Sequence, residues 1–74
     1  MSIQITDGGN YIQVVKDGKY SSIQKTGIDQ VQLQGDEVVI IGISGRATII
    51  PYADVTVPVT ANSLLLFQAI EAMQ

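Results

Sequence analysis

The sequence predicts a mainly β (α+β) domain: a small antiparallel meander or SH3-like barrel of five to six strands, with one C-terminal helix. Three observations carry the prediction. Turn signals containing Gly recur about every eight to ten residues through the first fifty positions, β-branched residues fill the segments between them, and residues 61–73 run without Gly or Pro. Asp and Asn beside Gly tolerate the positive φ angles that tight hairpins need, and even spacing of such turns marks short antiparallel strands.

The turns fall at Asp7-Gly8-Gly9-Asn10, Asp17-Gly18-Lys19, Thr26-Gly27-Ile28-Asp29, Gly35-Asp36-Glu37 and Ser44-Gly45-Arg46. Before the first, Ile3 and Ile5 alternate with Ser2, Gln4 and Thr6, which is the period of a half-buried strand. Tyr11 to Lys16 and Tyr20 to Lys25 read as hairpin arms. In Gln30-Val31-Gln32-Leu33-Gln34 the alternation is strict, so two apolar residues share one face and three glutamines the other. Val38-Val39-Ile40-Ile41-Gly42-Ile43 is apolar at both parities and is expected to be a central strand covered on both sides. Ala47 to Ile50 is the last expected strand, because Pro51 removes a ladder donor.

Residues 51–60 read as an extended connector, and 61–73 as the helix. Thr60 is a reasonable N-cap, with Asn62 or Ser63 as alternatives. Helical spacing puts Leu66, Ile70 and Met73 on one stripe with Ser63, while Leu64, Phe67, Leu65 and Ala69 widen the apolar arc around the cylinder. The chain is thus expected to be one domain, residues 1–74, with the meander over 1–50.

At 74 residues this is near the lower end of what folds without staples, and the chain has neither Cys nor His. Apolar residues make up 46% and charged residues 15% of it, where the surface of a free monomer normally carries a quarter or more of charge. Apolar surface left over from folding is therefore expected to meet other protein. The residues expected at such a contact are Val39 and Ile41 on the two-faced strand and Leu64, Leu65 and Phe67 on the helix.

The chemistry expected of an enzyme is sparse. Asp7, Asp17, Asp29 and Asp36 lie in turns, where a carboxylate ordinarily accepts hydrogen bonds from nearby amides. Asp54 in the connector is expected either to accept hydrogen bonds from backbone amides there or to pair with Arg46, the only arginine, as a structural contact. No Gly-x-Ser-x-Gly elbow, Ser-x-x-Lys pair or phosphate-binding Gly-x-x-x-x-Gly-Lys loop occurs. Zinc prefers Cys and His, and no calcium-loop spacing of acids is present. No catalytic residue, cofactor or metal site is expected. A net charge of -3, with Lys16, Lys19, Lys25 and Arg46 scattered, gives no footprint for nucleic acid. No apolar run suits a membrane span or an export signal.

The opening MSIQITDGGNYIQVV and the closing IPYADVTVPVTANSLLLFQAIEAM resemble very small uncharacterised proteins of tailed bacteriophages and prophages, often encoded among virion genes. The phrase that carries the resemblance is Tyr52-x-Asp54-Val55-Thr56-x-Pro58, followed by Leu64 to Met73. The resemblance covers about half the chain. It implies a β meander with a terminal helix, a setting in the virion or host cytoplasm, an assembly role, and partners that are copies of itself or other virion proteins. It carries no catalytic residues over.

Two functional expectations follow. One is a non-enzymatic structural protein that oligomerises through the strand Val38 to Ile43 and the helix around Leu64 to Phe67. The other is a monomeric small-barrel module that holds a peptide or protein in a groove near Tyr11, Tyr20 or Tyr52; three exposed tyrosines in one groove would favour it.

Overall fold

The computed structural model describes residues 2–74 and shows a mainly β domain with one C-terminal helix. Its strands are β1 (Ile3–Asp7), β2 (Tyr11–Lys16), β3 (Lys19–Gln24), β4 (Ile28–Gln34), β5 (Glu37–Gly42), β6 (Ala47–Pro51) and β7 (Val55–Val57), followed by α1 (Ser63–Met73). Two sheets form, in the orders β3-β2-β1-β7 and β4-β5-β6. Short 3-10 turns, Lys25–Gly27 and Tyr52–Asp54, carry the chain from one sheet to the other.

Four of the five predicted turns close hairpins; the other, Thr26-Gly27-Ile28-Asp29, falls where the chain crosses between the sheets, and Ile28 and Asp29 already belong to β4. Asp17 (φ 50°) and Gly18 (φ 84°) are both left-handed, the signature of a type I′ turn, whose twist matches the strands it joins. At the β1–β2 turn a different need is met: the Tyr11 ring lies so close over Gly8 that a Cβ there would sit 2.5 Å from it. Any larger residue there would have to push the Tyr11 ring aside.

Two further details depart from what the sequence predicts. Val55–Val57, expected to be connector, is a seventh strand that pairs in parallel with β1 through Ile3–Val55 and Gln4–Val57. A three-residue parallel strand takes its register from a partner more than fifty positions away, so no local turn announces it. The second departure is the helix start, which lies at Ser63, two residues later than expected. Asn62 is the N-cap, its Oδ1 accepting from the Leu65 amide at 2.9 Å. Thr60 serves elsewhere, because its carbonyl accepts the Tyr52 hydroxyl at 2.6 Å and so ties the connector down.

The inward faces of both sheets and one stripe of α1 form a single core of Ile3, Ile5, Ile12, Val14, Val38, Ile40, Ile50, Leu66 and Ile70. The alternation read in β1 holds, and β2 shows the same period, with Ile3, Ile5, Ile12 and Val14 buried and their neighbours half-buried or exposed. On α1 the expected stripe packs inward, Leu66 and Ile70 fully buried and Met73 against them. Each fully buried Leu or Ile is worth about 1.5–3 kcal/mol, so these two side chains anchor the helix. The helix lies mainly against β4 and also meets β5, and Ser63 Oγ donates to the Gly35 carbonyl at 3.3 Å.

Candidate interaction surface

The outward face of the β4-β5-β6 sheet follows from its register. Core residues Val38, Ile40 and Ile50 face in, so the intervening residues face out. Across the three strands these form the rows Gln30–Ile41–Ala47, Gln32–Val39–Ile49 and Gln34–Glu37–Pro51. The β5–β6 half of this face is apolar but for Glu37, while the β4 half is a line of glutamines, with Gln34 Nε2 donating to Gln32 Oε1 at 2.8 Å. β5 is the middle strand, as its two-faced pattern predicts, but it ends at Gly42, and Ile43, expected within the covered strand, lies in the turn and is 74% exposed. Val39 is 6% exposed although it lies outside the core cluster, and Ile41 is half-buried. Ile49, in the same row as Val39, is 54% exposed.

The expected helix contacts separate. Leu64 and Leu65 are 48% and 43% exposed, on the shoulder of α1 that turns away from the core. Phe67 is not an open contact residue: it is half-buried and packed against the core, because it follows Leu66 and precedes Ile70 by three, the spacing of the inward stripe.

Nor do Asp54 and Arg46 pair within the chain. Arg46 precedes β6 and Asp54 lies beyond its other end, so a five-residue strand, about 3.3 Å per residue, holds them apart. The only ion pair among the described residues joins Lys25 Nζ to Asp7 Oδ1 at 2.7 Å. Asp7 also accepts the Gly9 amide at 2.9 Å. The Lys25 hydrogen bond, helped by the Gly9 amide, holds the Asp7 carboxyl below its ordinary value of 3.8.

The tyrosines do not share a groove. Tyr52 is half-buried against the core. Tyr11 and Tyr20 lie on the outer face of the other sheet, but Tyr20 is opposite Val15, four residues along β2 from Tyr11, or about 13 Å. Tyr11 borders a shallow depression of about 370 Å³ with Asn10, Gln24 and Lys25. A second depression, about 380 Å³, lies between β3 and the β5–β6 hairpin, bordered by Ser21, Ile23, Ile40, Ser44, Arg46 and Thr48. Arg46 is its one ionisable group among the described residues. General acid–base chemistry needs a group that can exchange a proton near the working pH, and guanidinium does not.

The free edges complete the surface. In the β5–β6 ladder the Gly42 amide donates to the Arg46 carbonyl at 2.8 Å, and at the other end the Tyr52 amide donates to the Asp36 carbonyl at 2.8 Å. Antiparallel pairs alternate between bonded and non-bonded, so Thr48 and Ile50 direct their backbone groups at β5. Ala47, Ile49 and Pro51 direct theirs at the open edge. The residue at that edge with no N–H to leave unpaired is Pro51, which suits an edge strand.

No helix among the described residues is long and apolar enough to cross a membrane. No protein-family model, curated protein or solved structure matches the chain. Sequence reasoning missed Ile49 as a surface residue; the signal was the parity of Ala47 to Pro51, which opposes Ile49 to a buried Ile50.

Proposed function

We propose that this chain is a non-enzymatic structural protein that works as a homo-oligomer, as a component of a tailed-phage particle or of its assembly. The observation that supports the oligomeric part is the outward face of β5–β6. Val39, Ile41, Ala47, Ile49 and Pro51 stand together there with Glu37 as the only charge. A domain this small and this poor in charge gains most by covering such a face with protein. Leu64 and Leu65 offer a second apolar area on α1. The phage setting is supported by the resemblance around Tyr52, Asp54, Val55, Thr56 and Pro58.

Sedimentation velocity across the micromolar range tests the oligomeric part; concentration-dependent growth beyond the 7.9 kDa monomer is the expected result. A single monomer species at every concentration overturns it. Genes for capsid, portal or tail proteins beside the coding gene are expected, and a metabolic operon there overturns the phage setting.

A further inference from the structure

Resting on the oligomeric reading above, we infer that the partner is a second copy of this chain, joined antiparallel along the open edge of β6 so that two three-stranded sheets become one of six strands. The hydrogen-bonding pattern favours this partner. The edge presents the N–H and C=O of Ala47 and Ile49 and the C=O of Pro51, as derived from the ladder. With a two-fold axis at Ile49, each Ile49 amide meets the other copy's Ile49 carbonyl. Each Ala47 amide then meets the other copy's Pro51 carbonyl. That arrangement makes four backbone bonds, and the amide Pro51 lacks is not needed for any of them.

Charge fixes the direction. The N-terminal end of β6 carries Arg46, whereas Asp36, Glu37 and Asp54 gather at its C-terminal end: Glu37 is opposite Pro51, and the Asp36 carbonyl holds the Tyr52 amide. A parallel arrangement would bring Arg46 against Arg46 and acid against acid. The antiparallel one brings Arg46 to the acidic end twice, opposite the other copy's Tyr52 in the row that runs on to Asp36. Ile49 meets Ile49 across the axis and continues the Val39–Ile49 row from one copy into the next. A five-residue edge buries less than the roughly 1,200 Å² of a standard interface, so this contact is the exchangeable kind.

The chain has no Cys, so single thiols can be placed cleanly. Ile49→Cys and, on the edge of β3, Ser22→Cys are treated with a short bis-maleimide, and Arg46→Glu is followed by sedimentation beside the parent chain. The expected result is a covalent dimer from Ile49→Cys at least tenfold above Ser22→Cys, with Arg46→Glu dimerising several-fold more weakly and losing sensitivity to salt. If the parent chain assembles but Ile49→Cys links no better than Ser22→Cys, the β6 contact is overturned while the oligomeric reading stands. A parent chain that sediments only as monomer overturns both.

Discussion

β3 and β6 are both strands with one side unpaired, and they are built on opposite plans. β3 begins with Lys19 and is followed by Lys25, it carries Ser21 and Ser22, and all its residues but the half-buried Ile23 are exposed. β6 has no charged residue between Ala47 and Pro51 and exposes Ile49. Lysines and small polar residues keep an edge in water and discourage pairing with another chain; an uncharged, β-branched edge invites it. Of the other two edge strands, β7 is three residues long and is followed by Pro58, and β4 packs against α1. What the contrast teaches is that the low charge of this chain is not spread evenly, and the strand it leaves bare is β6.

A loss of stability that touches neither edge is the control. Leu66→Ala supplies it: the side chain is fully buried between sheet and helix, and its truncation is expected to cost about 2–5 kcal/mol. At roughly 4–8 °C per kcal/mol for a domain of this size, the melting temperature of the monomer falls steeply. A loss under about 1 kcal/mol in denaturant titration would mean that α1 is not seated as described. The sharper test places one lysine on each edge. Ile49→Lys is expected to leave a folded monomer with little change in circular dichroism, its assembly weakened at least tenfold, whereas Ser22→Lys leaves assembly as it was. Equal effects from the two substitutions would erase the distinction between the edges.

Much of this contrast was legible in the sequence. The hairpins followed from Asp17-Gly18 and Gly35-Asp36, and the inward residues of β1 and β4 from strict alternation, because local turn chemistry and side-chain parity are properties of short segments. β7 was not legible: Val55 to Val57 is a strand only because β1 lies beside it. The pairing expected of Asp54 and Arg46 failed for the same reason, since their separation is set by the strand between them. Of the expected contact residues, Leu64 and Leu65 are exposed and Phe67 is packed inward, a distinction that depends on the rotation of α1 about its axis and not on its composition. Ile49 was hidden by its neighbour Ile50; two equal side chains in sequence differ widely in exposure, 54% against 1%, once register assigns them to opposite faces.

A smaller effect concerns the first turn of α1, the helix that packs against β4. Asn62→Ala removes the acceptor of the Leu65 amide and is expected to cost about 1 kcal/mol, with faster amide exchange at Ser63 to Leu65 and no change in the sheets. Exchange unchanged at those amides would show that the cap contributes nothing to holding the helix over β4.

The smallest effect lies beside β3, where Lys25 meets Asp7. The hydrogen bond from Lys25 lowers the Asp7 carboxyl below its ordinary 3.8, so the unfolded chain binds a proton more readily there than the folded one. The contribution to stability is therefore complete above 3.8 and disappears as pH falls through the lower, folded value. Both groups are accessible to water, and an exposed ion pair adds little to stability. Lys25→Gln is expected to raise the Asp7 titration midpoint seen by NMR and to be slightly less stable than the parent at neutral pH, the two converging in acid. Because this pair lies at the protected edge, the same variant should assemble as the parent does at every pH where both are folded. A Lys25→Gln chain that gained a new contact through β3 would show instead that the lysine, and not the serines, is what keeps that edge alone.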